Sequence, residues 1–150
     1  MWDPHDSCQV KKLEGVQRKA ARYVQGNFSK YDSVTLMINK LGWQSLETRR
    51  KINRLGGIFK VMNRDLGWDE LRNRVNTPNY IGRYDHYLKI KIRAQRTDIG
   101  KFSFMNRGIS EWNKLDESLL KPLPKSAKFF RKKLNKYFPI MKDKELEKVQ

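Results

Sequence analysis

Apolar residues recur at helical spacing through most of the chain and switch to alternation once. Val10, Leu13, Val16, Ala20, Ala21 and Val24 share one face of a helix that Asp6 or Ser7 starts and Gly26 ends. Lys11, Arg18 and Arg22 fall on the opposite face, with Lys12 and Lys19 beside them, so a core stripe and a basic stripe share one helix. A short helix follows from about Ser33 to Leu41. Val34, Met37, Ile38 and Leu41 face inward, and Gly42 stops it. A longer helix starts at Ser45, with Leu46, Ile52, Leu55, Phe59 and Met62 inward and Arg49, Arg50, Lys51, Arg54 and Lys60 charging the other faces. Gly56-Gly57 within it reads either as a close helix–helix contact or as a kink.

Residues 63–86 are the least regular. Trp68, Leu71 and Val75 fit a short helix, and Thr77-Pro78-Asn79 and Ile81-Gly82-Arg83 are loop signals. Leu88, Ile90, Ile92 and Ala94 then alternate with Lys89, Lys91, Arg93 and Gln95, the period of a strand with one apolar and one basic face. Phe102-Ser103-Phe104 is its candidate partner, across a turn near Asp98-Ile99-Gly100. Two helical segments close the chain. Asn106 to about Leu115 presents Ile109, Trp112 and Leu115. After Pro122-Leu123-Pro124, Ser126 caps a last helix with Ala127, Phe130, Leu134 and Tyr137 or Phe138 inward. The expected fold is mainly α: a helical domain of about five helices with a short two-stranded β-ribbon. The expected organisation is a basic helical subdomain over 1–63, loop and ribbon over 64–104, and C-terminal helices over 105–150 that form one folded unit with the first part.

Charge changes the picture from fold to partner. The 150 residues carry 33 Lys+Arg against 16 Asp+Glu, a formal charge of +17. Both halves are basic, which predicts a polyanion as partner and a positive field over the whole domain. No apolar run reaches the ~18 residues of a membrane span, so no membrane partner is expected. Cys8 is the one cysteine, which excludes an internal disulfide, and no signal peptide is visible. The expected setting is intracellular, nucleus or cytoplasm. No P-loop, Gly-x-Gly-x-x-Gly or His-Glu-x-x-His occurs, and the two histidines, His5 and His86, lie far apart. His86 beside Asp85 lacks a nucleophile to serve, and the adjacent acids Asp69-Glu70 and Asp116-Glu117 read as helix-end charges. No enzyme activity, cofactor or metal is expected within these residues. Basic and aromatic residues interleave instead, in Tyr84, Tyr87, Lys89, Lys91 and Arg93 and again in Phe129, Phe130, Arg131, Lys132, Lys133 and Tyr137.

Five blocks resemble, in order, the segment that follows the polymerase core in jockey-like non-LTR retrotransposon reverse transcriptases. They are Trp2-Asp3-Pro4-His5 with Lys12 through Val24; Ser33-Val34-Thr35 with Leu41-Gly42-Trp43-Gln44-Ser45-Leu46-Glu47-Thr48-Arg49-Arg50; Arg54-Leu55 through Phe59-Lys60-Val61-Met62-Asn63; Lys101-Phe102-Ser103-Phe104 with Ile109-Ser110-Glu111-Trp112-Asn113-Lys114-Leu115; and Phe129-Phe130-Arg131 to Leu134. Asp116 stands where the family usually has Pro, and 64–100 matches poorly. The resemblance implies a fragment of an RNA-directed DNA polymerase from a transposable element. The family's Tyr-x-Asp-Asp motif would lie upstream, and Met1 would be an internal methionine. It further implies that this region grips template RNA or target DNA, and packs on the upstream polymerase core in the intact protein. Lys11, Arg18, Arg22, Arg49, Arg50, Arg54, Lys89, Lys91, Arg93, Arg131 and Lys132 are the candidate phosphate contacts. Two rival readings remain: a structural module with no binding of its own, and a free-standing helix-turn-helix DNA-binding protein built on 33–41 and 45–63.

Overall fold

A computed structural model describes residues 3–63, 69–73, 75–83 and 85–138. Trp2, Trp68, Tyr84 and residues 139–150, which entered the expectations above, lie outside the described residues. The described residues form eight helices: α1 Ser7–Val24, α2 Val34–Lys40, α3 Leu46–Met62, α4 Asp69–Arg72, α5 Asp98–Lys101, α6 Phe104–Trp112, α7 Glu117–Leu120 and α8 Ala127–Tyr137. The fold is mainly α. The described residues fall into two compact units, one of 3–50 with 137–138 and one of 51–136, so the division runs inside α3 and at the end of α8.

In the first unit the helix ends are local chemistry. Asp6 caps α1, its Oδ1 accepting from the Cys8 amide at 3.2 Å. Gly26 then takes φ 61°, and the amides of Gly26 and Asn27 donate back to the carbonyls of Tyr23 and Arg22, both at 3.1 Å. α2 ends in the same Schellman motif. Gly42 has φ 65°, its amide reaches Asn39 O at 2.9 Å, and the Trp43 amide reaches Ile38 O at 3.1 Å. Ser45 Oγ accepts from the Thr48 amide at 3.1 Å and starts α3. The other early amides of α3 go to Glu14 of α1, at 3.3 Å from Leu46 and 2.8 Å from Glu47. A carboxylate thus sits at the positive end of a helix.

The buried face of α1 differs from the expected one. Gln17 and Ala21 are buried, with Val10 and Leu13 beside them, whereas Val16 and Val24 are 63% and 58% exposed. Gln17 tolerates burial because its Nε2 donates to Gln44 O at 2.8 Å. The helix is rotated so that this bond is made, and Val16, Tyr23 and Val24 are left on the outside.

The second unit holds the larger core. Ile52, Leu55, Ile58, Phe59 and Val61 of α3 are buried, as are Met105, Ile109 and Trp112 of α6, Leu115, Leu119 and Leu120 around α7, and Phe130 and Leu134 of α8. Phe59 and Phe130 stack at 4.5 Å between centroids, and Trp112 lies 5.6 Å from Phe130. The Trp112 indole donates to Leu88 O at 2.9 Å. α3 runs unbroken through its glycine pair, and the reason for Gly57 is close contact. A Cβ there would stand 2.6 Å from Phe104 Cζ, and one on Gly108 would stand 2.9 Å from Ile58 Cγ1.

The expected β-ribbon is not formed; no strand occurs among the described residues. Its second half is helical instead. Thr97 caps α5 and Ser103 caps α6, each accepting a backbone amide three residues on. The first half is a turn at Leu88 followed by irregular backbone, and a side chain takes the place of a partner strand. Asn113 Oδ1 accepts from the Ile90 amide at 2.9 Å, and Asn113 Nδ2 donates to Ile90 O at 2.7 Å. The Lys91 amide donates to Asn76 O at 2.7 Å. The inward-outward alternation holds at Ile90, which is buried, and fails at Ile92, which is exposed.

Candidate nucleic-acid interface

The clearest basic surface is a groove of about 660 Å³ in the second unit. Its walls are the 92–95 segment, the end of α5 and the outer face of α6. Four cations line it: Arg93, Lys101, Arg107 and Lys114. Its floor includes Phe102, over whose ring the Lys101 ammonium lies at 5.3 Å. Among the described residues one acid lines it, Glu111, and that acid is already engaged. Arg54 Nε and Nη2 donate to the two Glu111 oxygens at 2.9 and 2.5 Å. Among the described lining residues the cations outnumber the acid. Its shape is held by Asn106 Nδ2, which donates to Gly100 O at 2.8 Å and ties α5 to α6.

Of the predicted contacts, only Arg93 lies in this groove. Arg54 does not face outward at all: it is 3% exposed and bound to Glu111. Its place in the phosphate set is corrected to a core role, because a charge facing the interior is kept only when paired. Lys89 and Lys91 share the 88–95 segment with Arg93. Lys91 is exposed, and Lys89 pairs with Asp85 at 2.6 Å. That pair, with the Gly82 amide at 2.8 Å, holds the Asp85 carboxyl below the usual carboxylate range. Asp85 therefore serves a turn and not the neighbouring His86, which is buried with Nε2 3.0 Å from Trp112 O. Arg131 and Lys132 are exposed on α8, Arg131 donating to Asn53 Oδ1.

In the first unit, Lys11 and Arg18 line a groove of about 680 Å³ along α1 together with the acids Glu14 and Glu47. Arg22 donates to Ser29 O at 2.6 Å, Arg49 is exposed, and Arg50 is half-buried against Asp3 at 3.5 Å and Glu14 at 3.8 Å. Each basic set belongs to its own unit.

Lys101, Arg107 and Lys114 were absent from the predicted set. Arg107 and Lys114 stand seven residues apart, near the two ends of the expected helix 106–115, so their common face was readable. Lys101 was hidden by the ribbon assignment.

Asp116 caps α7 through the Ser118 amide at 3.0 Å, Glu117 pairs with Lys121 at 2.6 Å, and among the described residues no group of three His, Cys, Asp or Glu is placed to hold a metal ion. No helix among them is long and apolar enough to cross a membrane. No family profile, curated protein or solved structure matches the chain.

Proposed function

We propose that this chain is the non-catalytic module that follows the polymerase core of a jockey-like non-LTR retrotransposon reverse transcriptase, and that it holds RNA or DNA by the phosphate backbone. The observation that supports binding is the groove of Arg93, Lys101, Arg107 and Lys114, where the one acid among the described lining residues is paired with Arg54. Four cations at one groove release about four counterions from duplex DNA, so raising salt fourfold lowers affinity on the order of 100-fold. Filter binding against RNA and duplex DNA at 50 and 200 mM salt, in steps of roughly fourfold, measures this. Replacing Lys101, Arg107 and Lys114 together by Gln reduces the slope by about three, uniformly across sequences. A slope that is flat in the parent chain, or unchanged in the triple variant, removes the proposal.

A second reading is favoured by the exposed apolar residues of the first unit. Val16, Tyr23 and Val24 on α1 and Phe28 after it are all more than half exposed. That is the surface a module packed on an upstream polymerase core would present. Val16→Lys with Val24→Lys is then expected to abolish co-purification with the core while leaving phosphate binding in place. The helix-turn-helix reading keeps only Arg49 of its three recognition cations on the surface, since Arg54 is internal and Arg50 is bound to Asp3 and Glu14.

A further inference from the structure

We infer that the first unit carries a separate pocket for one unpaired nucleobase. The pocket encloses about 300 Å³ between α1, the end of α2 and the start of α3, the lower end of the range for small-molecule sites. Three features set its chemistry.

The first is a pair of unsatisfied polar atoms. Gln17 is 6% exposed and lines the pocket. Its Nε2 is committed to Gln44 O at 2.8 Å, which fixes the orientation of the amide and leaves Oε1 as a buried acceptor with no partner. Asn39, on α2, lines the same pocket, and its Nδ2 is a buried donor with no partner. Buried polar groups are nearly always satisfied, and the exceptions call for a ligand or ordered water. Neither atom has accessible surface as placed, so a ligand reaches them once the two side chains turn toward the pocket; a lone acceptor and a lone donor then match the edge of a nucleobase, where an N–H lies next to a ring nitrogen or a carbonyl.

The second is an aromatic wall. The Schellman turn at Gly42 brings Trp43 back over the end of α2, so that Trp43 and Ile38 line the pocket together. A flat apolar face beside two amide atoms suits a flat polar ring. The third is charge. Arg18 is set against Glu14 and Glu47 in the lining, and Glu14 already serves the amides of α3 and Arg50. Without a cationic surplus the pocket favours an uncharged group, and the exposed Arg18 is left for the flanking phosphate. The second unit's groove has the opposite character: among the described residues, four cations line it and its one acid is engaged by Arg54. One unit takes the phosphates, the other a base.

The choice of ligand rests on the proposed nucleic-acid role, and the test separates the two. The whole chain is titrated with a single-stranded RNA oligomer and with an abasic oligomer of equal length, by fluorescence anisotropy. The base-bearing strand is expected to bind roughly tenfold tighter, the worth of one stacked base. Gln17→Leu with Asn39→Leu is expected to erase that difference and leave abasic affinity unchanged. Because Gln17 is buried, a measurement on the unaltered chain stands beside it: adenosine and uridine at millimolar concentration shift the side-chain amide NMR signals of Gln17 and Asn39. Equal affinity for the two strands, with those signals unmoved, overturns the pocket while the phosphate reading stands. A chain that binds neither strand and shows no nucleoside shift overturns both.

Discussion

The two units of this chain are built on different physics. Among the described residues, 14 of the 16 buried apolar side chains belong to the second unit, and only Ala21 and Met37 to the first. The second unit is held by a contiguous aromatic and aliphatic core, and its polar bonds decorate that core: the Asn113 clamp on Ile90, the Trp112 indole on Leu88, the Arg54–Glu111 pair. In the first unit, polar bonds carry most of the specification: Gln17 to Gln44, Gln44 Nε2 to Phe138 O, Glu14 to the start of α3, Arg50 to Asp3. Net hydrogen bonds contribute about 1 kcal/mol each, whereas a buried large side chain contributes about 1.5–3. The first unit therefore belongs to the low-stability end of the molecule, where surfaces that order on binding are found. Its unsatisfied amide pocket and its exposed Val16, Tyr23 and Val24 fit that position.

The largest test of this contrast lies in the aromatic core. Trp112→Ala removes a fully buried ring between Phe130 and His86 and the bond to Leu88 O. A loss of about 3–5 kcal/mol is expected, read as a fall in the urea midpoint. A loss under about 1 kcal/mol would mean that the second unit has no dominant core, and the contrast would fail. In the first unit the matching change is Glu14→Gln, which weakens the acceptor of two backbone amides at a helix start. An effect of about 1 kcal/mol is expected, seen as roughly fivefold faster exchange at the Leu46 and Glu47 amides with the Ile90 amide unmoved. Equal acceleration at Ile90 would show one cooperative body in place of two levels of stability.

What was legible in the sequence follows the range of the interaction. Helix ends are decided within a few residues, so Asp6, Gly26, Gly42, Ser45 and Ser126 all read correctly. The face that α1 buries was misread, because a polar residue, Gln17, is drawn inward by a carbonyl 27 positions away. The alternation at 88–95 signalled a strand that does not form: Leu88 lies in a turn and 89–95 are irregular. It could not reveal that a side chain 23 positions on, Asn113, would replace a strand. Arg54 looked like a surface cation for the same reason: Glu111, its partner, is 57 positions distant. Of the groove, Arg93 was identified and the α6 cations were within reach of helical spacing, but Lys101 depended on tertiary placement.

The smallest expected effect concerns pH, and it sharpens the contrast from the surface of the second unit. Asp85 is ionised more readily than an ordinary aspartate, first because Lys89 donates to it and then because the Gly82 amide does. A carboxyl whose value is depressed on folding stabilises the folded state at every pH above its unfolded value. That contribution is lost as pH falls through the depressed value, when the unfolded chain and then the folded one take up the proton. The group is open to solvent, so its effect is local. In Asp85→Asn, exchange at the Gly82 amide is expected to rise severalfold at neutral pH, as it loses a charged acceptor, and to converge on the parent at strongly acid pH. Persistence of the difference at acid pH would assign the turn to its backbone geometry and not to the carboxylate. Lys89 would then be as available to phosphate as Lys91, which the structure leaves exposed on the same segment.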